Sequence, residues 1–125
     1  MTAQKTSPEE SFRPLAEEER KLIKRLLELN FEGRDALAQQ LATATAKRLE
    51  NGALILEIPE SAPLAVVRGR VPVEAEGVDE DGVRLHFLLH VVAGRLAELE
   101  LYRDDGQRIR SIPEAAGLRV FSDFD

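Results

Sequence analysis

The stretch Val83-Arg84-Leu85-His86-Phe87-Leu88-Leu89-His90-Val91-Val92-Ala93-Gly94-Arg95-Leu96-Ala97-Glu98-Leu99-Glu100-Leu101-Tyr102-Arg103 decides the fold. Val83 to Val92 is the most apolar run in the chain, and Ala93-Gly94 allows a tight reversal into Arg95 to Arg103. The stretch therefore predicts an antiparallel hairpin. If the turn sets the register, Val92 faces Arg95, Leu89 faces Glu98 and Phe87 faces Glu100. One face then collects Val83, Leu85, Phe87, Leu89, Val91, Leu96 and Tyr102, and the other Leu88, Val92, Ala97, Leu99 and Leu101. Both faces would be substantially apolar, so one covers the helices and the other needs a partner or a second copy of the chain.

Outward from the hairpin, Asp79-Glu80-Asp81-Gly82 and Asp104-Asp105-Gly106 are turns. In the run from Ala65 to Val78, Val71, Val73 and Ala75 alternate with Pro72, Glu74 and Glu76. Pro72 removes a ladder donor and so predicts an edge or bulged strand. Asn51-Gly52, between Ala44–Glu50 and Ala53–Ile58, reads as a second hairpin. The competing reading continues the helical spacing Leu37, Leu41, Ala44 to a glycine stop at the same dipeptide. The hairpin is the reading adopted. Arg108 to Ile112 is expected as a last strand and Leu118 to Phe121 as a covering piece.

The N-terminal side is helical. Leu22, Ile23, Leu26 and Leu27 recur at helical spacing from Ala16 to Leu29, behind Glu17, Glu18 and Glu19 in the first turn, where the helix dipole favours acids. Asn30 and Gly33 end this helix, and a shorter one follows an Asp35 cap with Leu37, Ala38 and Leu41 facing inward. The expected fold is a two-layer α+β domain, with two N-terminal helices packed on one face of an antiparallel sheet of about five strands arranged as a meander. Residues 1–12 are expected as a mobile polar tail, 13–121 as the single domain and 122–125 as an acidic C-terminal tail.

Composition narrows the chemistry. A chain of 125 residues, 43% hydrophobic and 32% charged, supports one modest core. With no cysteine it has no disulfides, thiolate metal sites or thiol nucleophile. No apolar run reaches the length of a membrane span, and the polar start Met1-Thr2-Ala3-Gln4-Lys5 is unlike a signal peptide, so the expected compartment is the cytoplasm. No glycine motif for nucleotides and no nucleophile elbow is present, so no cofactor is expected. The net charge of −6 lies entirely in residues 51–125. Within it, residues 74–105 carry nine acids against three arginines. That balance opposes nucleic acid and favours a basic protein surface.

Glu98 and Glu100, two residues apart on one strand, share a face and form a carboxylate pair. At about 6 to 7 Å such a pair also suits glycoside chemistry, but a domain this small leaves little room for a cleft. A small metabolite-binding domain or enzyme built on the pair is therefore the alternative, beside a homodimeric scaffold. His86 and His90 would lie about 13 Å apart on a strand, too far to share a metal ion, and read as half-buried structural or surface histidines.

The segments Arg13-Pro14-Leu15-Ala16-Glu17-Glu18-Glu19-Arg20, Val78-Asp79-Glu80-Asp81-Gly82-Val83 and Gly94-Arg95-Leu96-Ala97-Glu98-Leu99-Glu100-Leu101-Tyr102-Arg103 resemble a group of small bacterial domains. Some of these are encoded beside polymorphic secreted toxins and are held to be immunity proteins. The likeness spans residues 13–112 as an order of motifs, the last segment being the most specific. Ala16 departs from the Ser or Thr expected at the helix start. The resemblance implies a non-enzymatic antitoxin that occludes a basic, nucleic-acid-directed toxin domain. Its expected partner face is made by Asp79, Glu80, Asp81, Glu98, Glu100, Asp104 and Asp105, with Phe87 and Tyr102 as aromatic anchors.

Overall fold

A computed structural model describes residues 11–124. The first ten residues of the expected N-terminal tail, and Asp125, lie outside the described residues. The chain is α+β with an open antiparallel sheet. Its strands are β1 (Arg13–Pro14), β2 (Thr45–Arg48), β3 (Leu54–Glu57), β4 (Val73–Val78), β5 (Arg84–Val92), β6 (Arg95–Arg103) and β7 (Arg119–Phe121), in the order β1-β2-β3-β6-β5-β4-β7. The helices are α1 (Glu17–Leu26) and α2 (Arg34–Leu41).

Seven strands replace the expected five because β1 and β7 are two and three residues long, too short to show alternation. Within the segment from Thr43 to Glu50, Thr45–Arg48 is strand and no residue is helical. Leu49 donates to Ala53 O at 2.8 Å, and Asn51 Oδ1 accepts the Ala53 N–H at 2.9 Å, closing the β2–β3 hairpin. Other expectations are overturned. The sheet is not a simple meander, because β3 pairs with β6 and not with β4. Arg108 to Ile112 is not a strand, because its main chain is drawn off to a buried aspartate, and Arg119–Phe121 pairs with β4 in its place. Nor does Pro72 sit in an edge strand. It precedes β4, which has neighbours on both sides.

Helix α1 lacks a side-chain cap at Ala16, as its sequence implies, but Glu19 supplies half of one by accepting the Ala16 N–H at 2.8 Å. The same carboxylate receives Arg13 of β1 at 2.6 and 2.9 Å and Arg48 of β2 at 2.9 Å, so it ties the helix start to two strands. Burial pushes this carboxyl up, yet the guanidinium and N–H donors overcome it and leave its pKa lowered. Helix α2 begins at Gly33, which has φ of 94°, and not at an Asp35 cap. Ala38, expected inward, is exposed, and its place is taken by Gln40, which is fully buried. Gln40 Nε2 donates to Pro63 O at 2.7 Å and Gly94 O at 2.8 Å, while Oε1 accepts the Leu96 N–H at 2.9 Å. Burial of an amide is tolerated because every one of these groups is bonded.

Leu22, Ile23, Leu26, Leu37 and Leu41 of the helices share one buried cluster with Leu54, Val73, Ala75, Leu85, Phe87, Leu89, Leu96, Leu99 and Leu101 of the sheet. Each fully buried Leu or Phe contributes about 1.5–3 kcal/mol.

The decisive hairpin forms as expected at its turn, with Ala93 at φ 53° and Gly94 at φ 80°, the positive values a two-residue connection requires. Val92 pairs with Arg95 and Val91 with Leu96. The register then slips between His90 and Val91: Ala97 is an extra residue, and His90 faces Glu98, Leu89 faces Leu99, Leu88 faces Glu100 and Phe87 faces Leu101. This corrects the expected pairing of Leu89 with Glu98 and Phe87 with Glu100. A one-residue slip moves every later side chain to the opposite face. The bulge therefore sends Leu99 and Leu101 into the core beside Leu89 and Phe87, and sends Glu98, Glu100 and Tyr102 out. The two faces are segregated rather than both apolar.

Candidate functional site

The acids expected on one surface divide between two places. Asp79 and Arg103 are buried, at 3% and 4% exposure, and meet at 2.8 Å. Antiparallel pairing of Leu85 with Arg103 brings the end of β6 beside the turn that precedes β5. All five N–H donors of the Arg103 guanidinium are taken: Nη1 by Asp79 at 2.8 Å and Asp81 at 3.1 Å, Nη2 by Asp81 at 3.1 Å and Asp105 at 2.8 Å, and Nε by Asp105 at 3.0 Å. Asp79 also accepts the N–H groups of Glu80, Arg110 and Ser111 at 2.7, 2.7 and 2.8 Å, which fixes the chain after β6. Burial pushes the Asp79 carboxyl up, but these donors and Arg103 prevail and hold it well below the ordinary carboxylate range. Arg103, then the Gln107 N–H, pull Asp105 down to about 2. Asp79, Asp81 and Asp105 are thus spent on an internal guanidinium. Phe87 is corrected more simply: at 0% exposure it is core, and it cannot touch a partner.

Glu98, Glu100, Tyr102 and Asp104 remain together on the outer face of the sheet. The register aligns Glu100, Leu88, Glu74 and Phe121 in one row across β6, β5, β4 and β7. Tyr102, His86, Glu76 and Arg119 form the next. Tyr102 is 43% exposed and stacks on His86, with ring centroids 4.7 Å apart at 17°. His86 Nε2 meets Asp104 Oδ1, and His90 Nε2 meets Glu100 Oε1 at 2.7 Å. Arg70 Nε donates to His90 Nδ1 at 2.9 Å, so this ring carries its proton on Nε2 and both nitrogens are engaged. Arg119 pairs with Glu76 at 2.7 Å, and that guanidinium lowers the Glu76 pKa. Partial burial and then the Asp123 carboxyl raise the pKa of Glu74. Partial burial, then Glu100, Glu74, Asp104 and Glu76, push the Tyr102 phenol above its ordinary value. Negative potential is concentrated around this tyrosine. Glu80 stands apart, exposed on its turn.

Sequence reasoning singled out the two histidines but not what they join. Their alternation with Leu88 marks the outer face, and only the slipped register shows which carboxylates they meet. Glu74 was missed as a member of the face, since nothing local distinguishes it from a solvated strand position; Arg70, which the sequence offers with Arg68 and Arg84 as a cation for the strand acids, meets His90 instead. Among the described residues no cluster of three or more His, Asp or Glu is placed to hold a metal ion, and no helix is long and apolar enough to cross a membrane.

The family model described as a domain of unknown function, DUF6984, matches residues 12–113, and the chain belongs to that family. The match takes in both hairpins, the Arg103 cluster and every residue of the outer face on β5 and β6. No curated protein and no solved structure matches the chain.

Proposed function

We propose that this chain is a cytoplasmic binding protein, not an enzyme, that presents the outer face of its sheet to a basic protein surface. In this reading the partner is a nucleic-acid-directed toxin domain whose active site the chain occludes. One observation carries the binding reading: a half-exposed tyrosine near the end of β6 on the open sheet face, surrounded by Glu74, Glu76, Glu100 and Asp104. An aromatic ring amid carboxylates suits an inserted Arg or Lys side chain, which gains from the ring and from the charges together. Charge complementarity would chiefly raise the rate of encounter. The toxin as partner rests on the resemblance of the segments around Ala16, Asp81 and Glu98. Use of His90 as a catalytic base is disfavoured because Arg70 and Glu100 occupy both ring nitrogens.

The test is co-expression with the protein encoded in the adjacent reading frame. The native chain is expected to protect cells from growth arrest, and Glu98→Lys/Glu100→Lys to bind the partner at least tenfold more weakly and lose protection while its circular dichroism stays native. Unchanged protection by that variant, or an adjacent product that is not toxic, would overturn the proposal.

A further inference from the structure

Strand β6 is accompanied by β5 along its whole length but by β3 only at Glu98 and Leu99. The Asp104 N–H donates to Arg84 O at 2.9 Å, which sets the phase of the ladder. Even-numbered residues of this part of β6 turn their main-chain groups toward β5, and odd-numbered ones turn away from it. On the far side Leu99 meets Leu54. Two residues later the β2–β3 hairpin has ended at Asn51-Gly52. The N–H and C=O of Leu101, and the N–H of Arg103, have no hydrogen-bond partner among the described residues. The Arg103 C=O is satisfied by the Gly106 N–H at 3.0 Å.

Leu101 is only 4% exposed. Its side chain is in the core, while main-chain groups of a strand edge that lack a protein partner are left to water or to an added strand. In front of them runs a groove of about 450 Å³, bounded by Glu50 and Asn51 at the hairpin tip, by Glu98 and Glu100, and by Gln107 and Arg108 on the opposite wall. Its lining holds three glutamates and two arginines, and the Arg103 guanidinium is already spent on three aspartates.

We propose that this groove receives a short extended segment of the basic partner, which adds to β6 as an extra strand along Leu101–Arg103. This deepens the binding reading above and rests on it. An extended peptide carries N–H and C=O groups at the spacing the free edge presents, and its side chains alternate. One set would lie over the outer face near Glu98, Glu100 and Tyr102, which calls for Lys or Arg. The other set would point toward the Ile109 side and calls for apolar residues.

The probe is the peptide Ac-Lys-Val-Arg-Val-Lys-NH2, titrated into the ¹⁵N-labelled full chain. The Leu101 and Arg103 amide resonances are expected to shift downfield and to gain protection from exchange. Two further peptides, each N-methylated on one alternate set of residues, should separate: one binds at least tenfold more weakly and the other keeps its affinity. Gln107→Trp, on the exposed wall of the groove, should abolish binding with the fold intact. Equal binding of both methylated peptides, unmoved Leu101 and Arg103 amides, or full binding by Gln107→Trp would each overturn the inference. If Gln107→Trp still protects cells while Glu98→Lys/Glu100→Lys does not, the strand-addition inference fails and the outer-face reading stands.

Discussion

Two acidic regions of this molecule have the same composition and opposite fates. Around Arg103, three aspartates fill every donor of one buried guanidinium and knit the β4–β5 turn to the chain that follows β6. Around Tyr102, carboxylates of β4 and β6 share an open face with two histidines, and the guanidiniums of Arg70 and Arg119 each meet a single side chain there, His90 and Glu76. The difference teaches that a negative stretch advertises a partner only after internal cations have been subtracted. Of the nine acids in residues 74–105, the internal cluster removes three.

The contrast breaks most visibly at Asp79. Replacing it with Asn leaves a buried guanidinium short of charge and weakens the hold on Arg110 and Ser111. Asp79→Asn is expected to lower the Tm by roughly 10 °C or more, since removing one partner of a buried pair is among the costliest single changes. A drop of only one or two degrees in a thermal melt would mean that the cluster is not structural.

Acid pH should sharpen the comparison. Asp79 and Asp105 have depressed pKa values in the folded chain, so the stability they confer is complete above the unfolded carboxylate value, about 4. It is lost as pH falls through the folded values, about 2 for Asp105. Glu74 on the outer face has the opposite sign, because its raised pKa makes ionisation work against folding. Urea midpoints measured from pH 7 to pH 2 should therefore fall steeply below pH 4 in the native chain and less steeply in Asp79→Asn. Parallel curves would refute the assignment.

The smallest effect is expected on the outer face. Glu98→Gln/Glu100→Gln should change the Tm by no more than about 2 °C, as surface substitutions do. A large loss would show that these acids, like Asp79, are spent on the fold.

Much of this contrast was legible in the chain. The Ala93-Gly94 hairpin by itself places Arg103 near the turn Asp79–Gly82, so the internal pairing follows from antiparallel geometry and needed only to be drawn. The bulge carried a fainter mark. Leu96, Leu99 and Leu101 are spaced three and then two, a break in strand parity that an extra residue at Ala97 restores. Reading through that break put Glu98 and Glu100 against Leu89 and Phe87, and made the outer face look apolar. β1 could not be read as a strand, and Leu118 to Phe121 only as a covering piece, because two or three residues hold no period and their pairing is set by neighbours distant in sequence. Gln40 could not be assigned inward, since a polar residue at a helical core position has meaning only once Pro63, Gly94 and Leu96 surround it.

That glutamine is also a chemically exacting position. Its amide meets two carbonyl oxygens with its nitrogen and one N–H with its oxygen. An isosteric Glu would set lone pairs against lone pairs, Leu or Met would strand the Pro63 carbonyl and the Leu96 N–H and leave the Gly94 carbonyl with the Ala65 N–H alone, and Asn would fall a methylene short. Where the leucines around it are interchangeable within limits of volume, this site is written in a single letter, and it spells out how α2, the Pro63 loop and the hairpin turn must meet.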